Sequence, residues 1–295
     1  MLRRATGSLR EGNSDILAIV VVTIGLVGGL VYTWSTWGHL VAGSSKYHVT
    51  ESSLEIPEAP VWISPATNVK KEVFGDGLLD ETSAMDPHAA TKIAQAFELN
   101  PWVKRVARVT KSAPNRVRVE LEYRRPIAVV RVQVSKEFKG WEPIDGEGVV
   151  LPEDLFHEDQ SRIALYLGVV ADPLPSVPND VGITWPDDRI QQAGILAAVL
   201  ENLWKEWGID DILATRSLTD DTPVFSLRLN GDTKIVWGRA PGNEAGSELK
   251  AMQKLALIGE YLKQHGPVKT WAAGQVLDVQ HAGAIRVTGG HSFRR

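Results

Sequence analysis

The sequence has no cysteine among its 295 residues, which excludes disulfides, thiolate metal sites and cysteine nucleophiles together. It also lacks the common catalytic signatures, since no GxxxxGK[ST], GxGxxG, GxSxG or HExxH pattern is present. Charge of one sign is not in large excess, because the formal net charge is only −4. These absences disfavour the common enzyme classes and a strongly basic nucleic-acid-binding protein.

The spacing of histidines and carboxylates does not indicate a metal site either. No two of the seven histidines stand four residues apart, as a helical metal-binding pair would require. The acidic residues Asp76, Asp80 and Glu81 lack the ligand spacing of a calcium loop. We therefore predict a non-enzymatic protein with no metal ion, no cofactor, no small-molecule substrate and no nucleic-acid partner.

Only one long apolar run is present, at residues 16–37, and it carries no charge. As a helix it would reach about 33 Å, enough to cross a bilayer core of about 30 Å. Arginines precede the run, so we expect residues 1–15 to be cytoplasmic and the long C-terminal part to be extracytoplasmic. A cleaved signal peptide is the alternative. Gly25 and Gly29 form a GxxxG pair, which either dimerises such helices or is simply tolerated.

The length of the remainder, about 250 residues, favours two domains. Its first half predicts a strand at 47–56 and a helix at 87–99, separated by a long proline-containing segment at 57–86. Strands at 103–110 and 116–123 follow, joined by a Ser-Ala-Pro-Asn turn. The second of these alternates apolar and charged residues, as a half-buried strand does. The pattern indicates a β-hairpin packed on a helix.

The second half combines helices and strands. Residues 141–151 read as a strand, an Asp-Gly turn and a strand, and an Asn-Gly turn joins strands at 224–229 and 233–237. A helix at 188–207 carries the apolar stripe Ile190, Ala193, Leu196, Leu200, Leu203 and Trp207. A second helix, capped by Ser247, carries the stripe Leu249, Met252, Leu255, Ile258 and Leu262. Two last strands are predicted at 275–279 and 284–288.

One stretch is locally basic, since eleven Lys or Arg residues stand against three Glu between residues 104 and 139. Arg116, Arg118, Arg124 and Arg125 form its predicted basic face. Outside the cytoplasm, such a face would bind anionic lipid headgroups or an acidic protein surface. The alternative is an ordinary solvated face of a two-stranded ribbon.

Residues 100–132, NPWVKRVARVTKSAPNRVRVELEYRRPIAVVRV, resemble the POTRA region of the bacterial division proteins FtsQ and DivIB. The matching positions are Pro101, Val103, Val106, Val109, Pro114, Val117, Val119, Arg125, Pro126, Ile127 and Ala128. Residues 144–150, IDGEGVV, resemble the hairpin that opens the second domain of this family, the β domain.

The resemblance implies an α+β fold in which a single N-terminal transmembrane helix precedes a POTRA-like domain and a mixed α/β domain with an open antiparallel sheet edge. The implied divisions are a cytoplasmic tail at 1–15, the transmembrane helix at 16–37, the POTRA-like domain at 46–134, the β domain at 140–289 and a C-terminal tail at 290–295.

The function implied by the resemblance is that of a non-enzymatic divisome scaffold in the cell inner membrane, enriched at the septum. Such a scaffold binds other division proteins outside the cytoplasm and helps to control septal peptidoglycan synthesis. Its partners would be FtsB- and FtsL-like proteins, with FtsK- and FtsW-like proteins as further candidates, and lipid around the N-terminal helix. The alternatives are a bitopic component of another envelope machine, such as a secretion system, and a membrane-tethered enzyme.

The resemblance also implies a partner site at the C-terminal sheet edge, where a partner segment would add a strand. The candidate residues are Ala284, Ile285, Arg286, Val287 and Thr288, with Val276 and Val279 beside them. The alternative is that the last strand only completes a buried sheet.

Overall fold

The computed structural model describes residues 8–42, 45–135, 137, 139–153, 160–229, 233–268, 271, 274–283 and 285–289. The α-helices in these ranges are α1 (Ser8–Ala42), α2 (Val69–Gly75), α3 (Ala89–Glu98), α4 (Asp188–Leu200), α5 (Trp204–Trp207) and α6 (Ala251–His265). The strands are β1 (Leu54–Glu55), β2 (Val103–Ser112), β3 (Arg116–Tyr123), β4 (Ala128–Gln133), β5 (Lys139–Ile144), β6 (Leu167–Ala171), β7 (Ile209–Arg216), β8 (Pro223–Leu229), β9 (Lys234–Gly238), β10 (Val276–Asp278) and β11 (Arg286–Thr288).

The fold is mixed α/β with two sheets, and the chain divides into two compact units. The smaller unit comprises Met1–Ile56, Val73–Ala96 and Arg108–Glu120. The larger unit comprises Pro57–Glu72, Phe97–Ala107 and Leu121–Arg295. The proposed boundary between a POTRA-like domain at 46–134 and a β domain at 140–289 stays a prediction.

The N-terminal helix α1 includes the apolar run at 16–37, but the predicted transmembrane helix is wrong. Of the helices in the described ranges, none combines the length and the apolar character that crossing a bilayer requires. Residues 18–33, whose side chains are described within α1, are mostly apolar and exposed.

The small sheet has the strand order β1-β3-β2, and β1 runs parallel to β3. The predicted hairpin is confirmed, because β2 and β3 are neighbours and Val117 and Val119 are buried on β3. The predicted strand at 47–56 is wrong except at Leu54–Glu55. Just before it, the Ser53 hydroxyl accepts the Thr50 N–H at 2.9 Å, and this local bond favours a tight turn over an extended strand.

The large sheet has eight strands in the order β11-β10-β9-β8-β7-β6-β4-β5. It is mixed: the pairs β4–β6, β6–β7 and β9–β10 are parallel, and the pairs β4–β5, β7–β8, β8–β9 and β10–β11 are antiparallel. The sequence analysis did not identify β4, β6 or β7. The first and the second of these are runs of buried apolar residues without clear alternation, a pattern that does not separate a strand from a short buried helix.

The predicted helix at 188–207 is two helices, because α4 ends at Leu200 and α5 spans only Trp204–Trp207. Its apolar stripe is confirmed, since all six predicted positions belong to the core or pack against it. The Asp187 carboxylate caps α4 by accepting the Arg189 N–H at 3.0 Å. Gly208 ends α5 in the left-handed conformation, with φ of 66°.

Helix α6 begins later than the sequence predicts, and one position of its predicted apolar stripe is exposed. Ser247 does not cap it, because a carboxylate oxygen of Glu244 accepts the N–H of Ala251 at 3.0 Å, at the first residue of the helix. Met252, predicted in the apolar stripe, is 73% exposed, whereas Lys254 is completely buried. The predicted stripe is confirmed at Leu255, Ile258 and Leu262, which belong to the core or pack against it, and is wrong at Met252.

The predicted Asp-Gly turn after β5 is confirmed and packs closely on α4. The Asp145 Oδ1 accepts the N–H groups of Glu147 at 2.8 Å and Val149 at 2.9 Å. Gly148 has φ of 72°, and a Cβ there would lie 2.5 Å from the Cα of Gln191 in α4. Only glycine fits at this position, because both the backbone conformation and the close approach exclude a side chain.

A buried carboxyl group lies on β5, which is one of the two edge strands of the large sheet. Glu142 is 4% exposed. Burial, together with a hydrogen bond and like-charge repulsion from Glu153, raises the pKa of Glu142 to about 8. The folded state therefore keeps a proton that the unfolded state releases near pH 4.5. The stability from this proton is present below pH 4.5 and is lost as the pH rises through about 8.

Replacing Glu142 with glutamine should remove this loss of stability at alkaline pH, because an amide does not ionise. At pH 8 we expect the variant to melt about 2 °C or more above the unmodified protein, as about 1 kcal/mol would produce in a unit of this size. The measurement is the melting temperature from pH 5 to pH 9. Glu206→Gln, at an exposed position of the same unit, is the control. Identical pH profiles for Glu142→Gln and the unmodified protein would refute the assignment.

Candidate partner-binding edge of the large sheet

The last strand, β11, forms one edge of the eight-stranded sheet. It pairs antiparallel with β10 in the register Val276↔Thr288, Leu277↔Val287 and Asp278↔Arg286. Within the described residues, no strand pairs with its other side. An edge of this kind exposes N–H and C=O groups that can pair with another extended segment.

The pairing of β10 shows which residues of β11 face outward. On the β9 side, Lys234 donates its N–H to the Gln275 carbonyl at 2.8 Å, and Val279 donates to the Val236 carbonyl at 3.3 Å. The odd-numbered residues of β10 therefore bond to β9 and the even-numbered residues bond to β11. It follows that Arg286 and Thr288 direct their backbone groups toward β10. The N–H and C=O of Val287 point to the unpaired side.

A groove runs beside this edge, between β11 and helix α6. Its approximate volume is 450 Å³. It is lined by Leu257, Glu260, Tyr261, Gln264, His265, Ile285 and Val287. Ile285 and Val287 are two residues apart, so their side chains share the face of the strand that lines the groove. Apolar side chains and free backbone groups thus meet at the same place.

Aromatic contacts order the α6 wall of this groove. The ring of Tyr261 stacks on His265 with a centroid distance of 4.0 Å and meets Trp271 edge to face at 5.1 Å. Trp271 is tied down in turn, since its Nε1 donates to the Gly266 carbonyl at 3.0 Å. Aromatic groups of this kind often contribute strongly to protein interfaces, because they bury large areas at small entropic cost.

The structure brings most of the predicted partner-site residues together. Ile285, Arg286, Val287 and Thr288 lie at the edge, and Val276 pairs with Thr288 one strand inward. Val279 is completely buried in the core, so it supports the edge and does not face a partner. Ala284 lies outside the described residues.

The helical wall of the groove was not among the predicted site residues. Leu257, Tyr261 and His265 recur at intervals of four residues, which places them on one side of α6. This spacing could have revealed them. The predicted apolar stripe at Leu255, Ile258 and Leu262 faces the core, whereas the three groove residues lie on the adjoining side of the helix.

The four arginines of the predicted basic face do not form one free cationic surface. Arg116 and Arg118 both pair with Glu55, at 3.5 Å and 3.0 Å. Arg124 pairs with Asp145 at 2.7 Å, and Arg125 pairs with Glu201. Each of these cations therefore has a carboxylate partner.

Other basic side chains of the 104–139 stretch are paired as well. Lys104 lies 2.9 Å from Glu147, and Arg105 lies 2.6 Å from Glu122. The hydrogen bond and charge of Arg105 lower the pKa of Glu122 below its ordinary value. These pairs favour the alternative in which the excess of basic residues is a solvated, largely neutralised face.

The described residues contain no group of three or more His, Asp or Glu side chains arranged to hold a metal ion. No protein-family model and no curated protein sequence matches the chain. The resemblance to FtsQ and DivIB therefore rests on the residues quoted above and stays a prediction.

Proposed function

We propose that this protein is a non-enzymatic scaffold of the bacterial division machinery and that it binds a partner segment at β11. The single observation that carries the proposal is the unpaired side of Val287, which adjoins a groove lined by apolar and aromatic side chains. In the family that the sequence resembles, this edge binds a partner segment as an added strand, and we propose an FtsB-like protein as the partner here. The proposed place of action is the septum, on the outer side of the cytoplasmic membrane.

Strand addition suits this edge physically. An added strand would bond to the outward N–H and C=O of Val287 and continue the β10–β11 pairing by one strand. Each bond is weak alone, but alternate side chains of the partner would enter the groove between β11 and α6 and contribute specificity. The aromatic wall at Tyr261 provides area for an apolar side chain.

The order of elements in the resembling block gives further support. Helix α3 is followed by the β2–β3 hairpin, and the Arg-Arg-Pro-Ile stretch after β3 leads directly into β4. Arg124, in this stretch, is tied to Asp145 of the Asp-Gly turn. The two motifs that carry the resemblance are therefore linked by a buried ion pair in the larger unit.

A bitopic assembly component of another envelope machine is the second candidate. It would use the same edge, so the site does not separate the two functions, but cellular location does. A division scaffold concentrates at the septum of dividing cells, whereas a secretion component does not. Imaging a fluorescent fusion of the full chain therefore discriminates them.

Replacing Val287 with proline should abolish recruitment of the FtsB-like partner to the septum, because proline removes the outward N–H. We expect binding to weaken by about tenfold or more, the equivalent of about 1.4 kcal/mol. The melting temperature should change little, since this N–H does not bond to β10. The measurements are septal fluorescence of the tagged partner and thermal unfolding of the purified variant.

Arg286→Pro is the matched control at the neighbouring residue. Its N–H bonds inward to β10, so this proline should destabilise the sheet edge and lower the melting temperature. If Val287→Pro leaves partner recruitment intact, or if the unmodified protein shows no enrichment at the septum, the proposed function is wrong.

A further inference from the structure

A buried ion pair lies under the first turns of α6. Lys254 is completely buried, with a relative exposure of 0%. Its Nζ donates a hydrogen bond of 2.6 Å to Oε1 of Glu248. The same ammonium group stands 5.0 Å from the centroid of the Trp237 ring. Burial lowers the pKa of Lys254, while the hydrogen bond to Glu248 opposes this effect. A lysine is rarely buried without such compensation.

Glu248 connects this lysine to the end of β9. Its Oε1 also accepts the N–H of Arg239 at 2.8 Å, and its Oε2 accepts the N–H of Ala245 at 3.4 Å. The carboxylate approaches the backbone of Gly238 so closely that no side chain fits there. One carboxylate therefore joins helix α6, the loop before it and the end of a central strand.

The segment around Glu248 is also bonded to the turn between β10 and β11. Leu249 donates its N–H to the Gln280 carbonyl at 2.7 Å, and Glu248 pairs with His281 in a short antiparallel bridge. Gln280 in turn donates its N–H to the Asp278 carboxylate at 2.9 Å. The chain continues from this turn into the edge strand, so the position of Glu248 affects where β11 lies beside the groove.

Lys254 belongs to α6, the helix that forms the wall of the groove opposite β11. It precedes Leu257 by three residues and Tyr261 by seven, so all three lie on neighbouring positions of one side of α6. Neither Lys254 nor Glu248 lines the groove itself. The pair can therefore influence partner binding only through the relative positions of α6 and β11, which form the two walls of the groove.

We propose that Glu248 and Lys254 are positioning residues of the partner site, and that their buried pair sets the separation between α6 and β11. The inference rests on the proposed function for the identity of its partner. The geometry that it predicts is measurable without a partner. Removing both charges should release this restraint at little cost in stability, because replacing both members of a buried ion pair is often close to neutral.

The test uses the absence of cysteine from the native sequence. Lys263→Cys on α6 and Thr288→Cys on β11 carry spin labels in the full chain, and pulsed electron resonance measures the distance between them. The comparison is between this labelled protein and the same protein with Glu248→Gln and Lys254→Met. The double variant leaves no buried charge unpaired, and the glutamine oxygen can still accept the Arg239 N–H.

We expect the double variant to melt within about 2 °C of its parent, as a neutral replacement of a buried pair allows. Its distance distribution should broaden or shift. Amide hydrogen exchange at β11 should be about tenfold faster, because the strand opens more often. Met252→Gln, at an exposed position of α6, is the control and should change neither measurement.

An unchanged distance distribution with unchanged exchange overturns the positioning role. Unfolding of the double variant overturns it as well, since the pair would then serve stability. These outcomes are independent of the proposed function. The proposed function is wrong if Val287→Pro recruits the partner normally or if the unmodified protein is not enriched at the septum. Neither result depends on the distances between the labels.

Discussion

Asp145→Ala should lower the free energy of unfolding of the larger unit by about 3–5 kcal/mol, because it leaves a buried charge without its partner. The side chain of Asp145 is 5% exposed, that of Arg124 is 14% exposed, and their charged atoms are 2.7 Å apart. Within the described residues, the Nε of Arg124 has no hydrogen-bond partner, and the other carboxylate near its Nη1, that of Glu147, is exposed and 3.6 Å away, so Asp145 carries most of its compensation. Alanine would also leave the N–H groups of Glu147 and Val149 without their acceptor. Urea unfolding followed by tryptophan fluorescence measures the loss.

Asp145→Asn is the matched control, since its amide oxygen can still accept the two backbone N–H groups while the charge is lost. We expect the free energy of unfolding of Asp145→Asn to lie between that of Asp145→Ala and that of the unmodified protein. A loss under about 1 kcal/mol for Asp145→Ala would contradict a buried, paired carboxylate at this position.

Val119→Asp should unfold the smaller unit or destabilise it by about 3 kcal/mol or more, because an unpaired carboxyl group would be buried. Val119 is 1% exposed on the inner face of β3. Burial raises the pKa of such a carboxyl, so the folded variant would bind a proton that the unfolded chain releases. The variant should therefore recover stability as the pH falls from 8 to 5. Limited proteolysis and urea unfolding at both pH values are the measurements.

Glu120→Gln serves as the control next to Val119. The side chain of Glu120 is 53% exposed, and its ion pair with Arg108 is long, at 3.9 Å. Its replacement should therefore change the free energy of unfolding by less than about 0.5 kcal/mol. If Val119→Asp unfolds at the same urea concentration as Glu120→Gln at both pH values, β3 does not bury this face.

Local patterns in the sequence predicted the elements whose contacts are mostly within a short stretch. The alternation along β3 predicted a half-buried strand, and the Asp-Gly and Asn-Gly turns predicted hairpins around Gly146 and between β8 and β9. The Asn-Gly turn itself lies outside the described residues, but the pairing of its flanking strands is confirmed. These signals are reliable because a strand period or a tight turn depends on a few neighbouring residues.

Elements determined by distant contacts were predicted less well. The short apolar runs of β4 and β6 have no clear period, because both lie within a buried part of the sheet. At α6, the sequence suggested that Met252 was buried, yet Lys254 occupies the buried position because Glu248 is there to pair with it. The apolar run at 16–37 predicted a membrane-spanning helix, which the described residues do not support.

Residue types and their spacing were enough to exclude thiol chemistry and to predict the β2–β3 hairpin, the apolar stripe of α4 and the last two strands. Tertiary contacts set the rest: the backbone groups of Val287 point to the unpaired side of β11, Tyr261 and His265 line the groove beside it, and each arginine of the predicted basic face lies near a carboxylate, two of them sharing Glu55. The physical reason is the range of the interactions. Turns and periods are set by adjacent residues, whereas an edge, a groove and an ion pair exist only when separate segments meet.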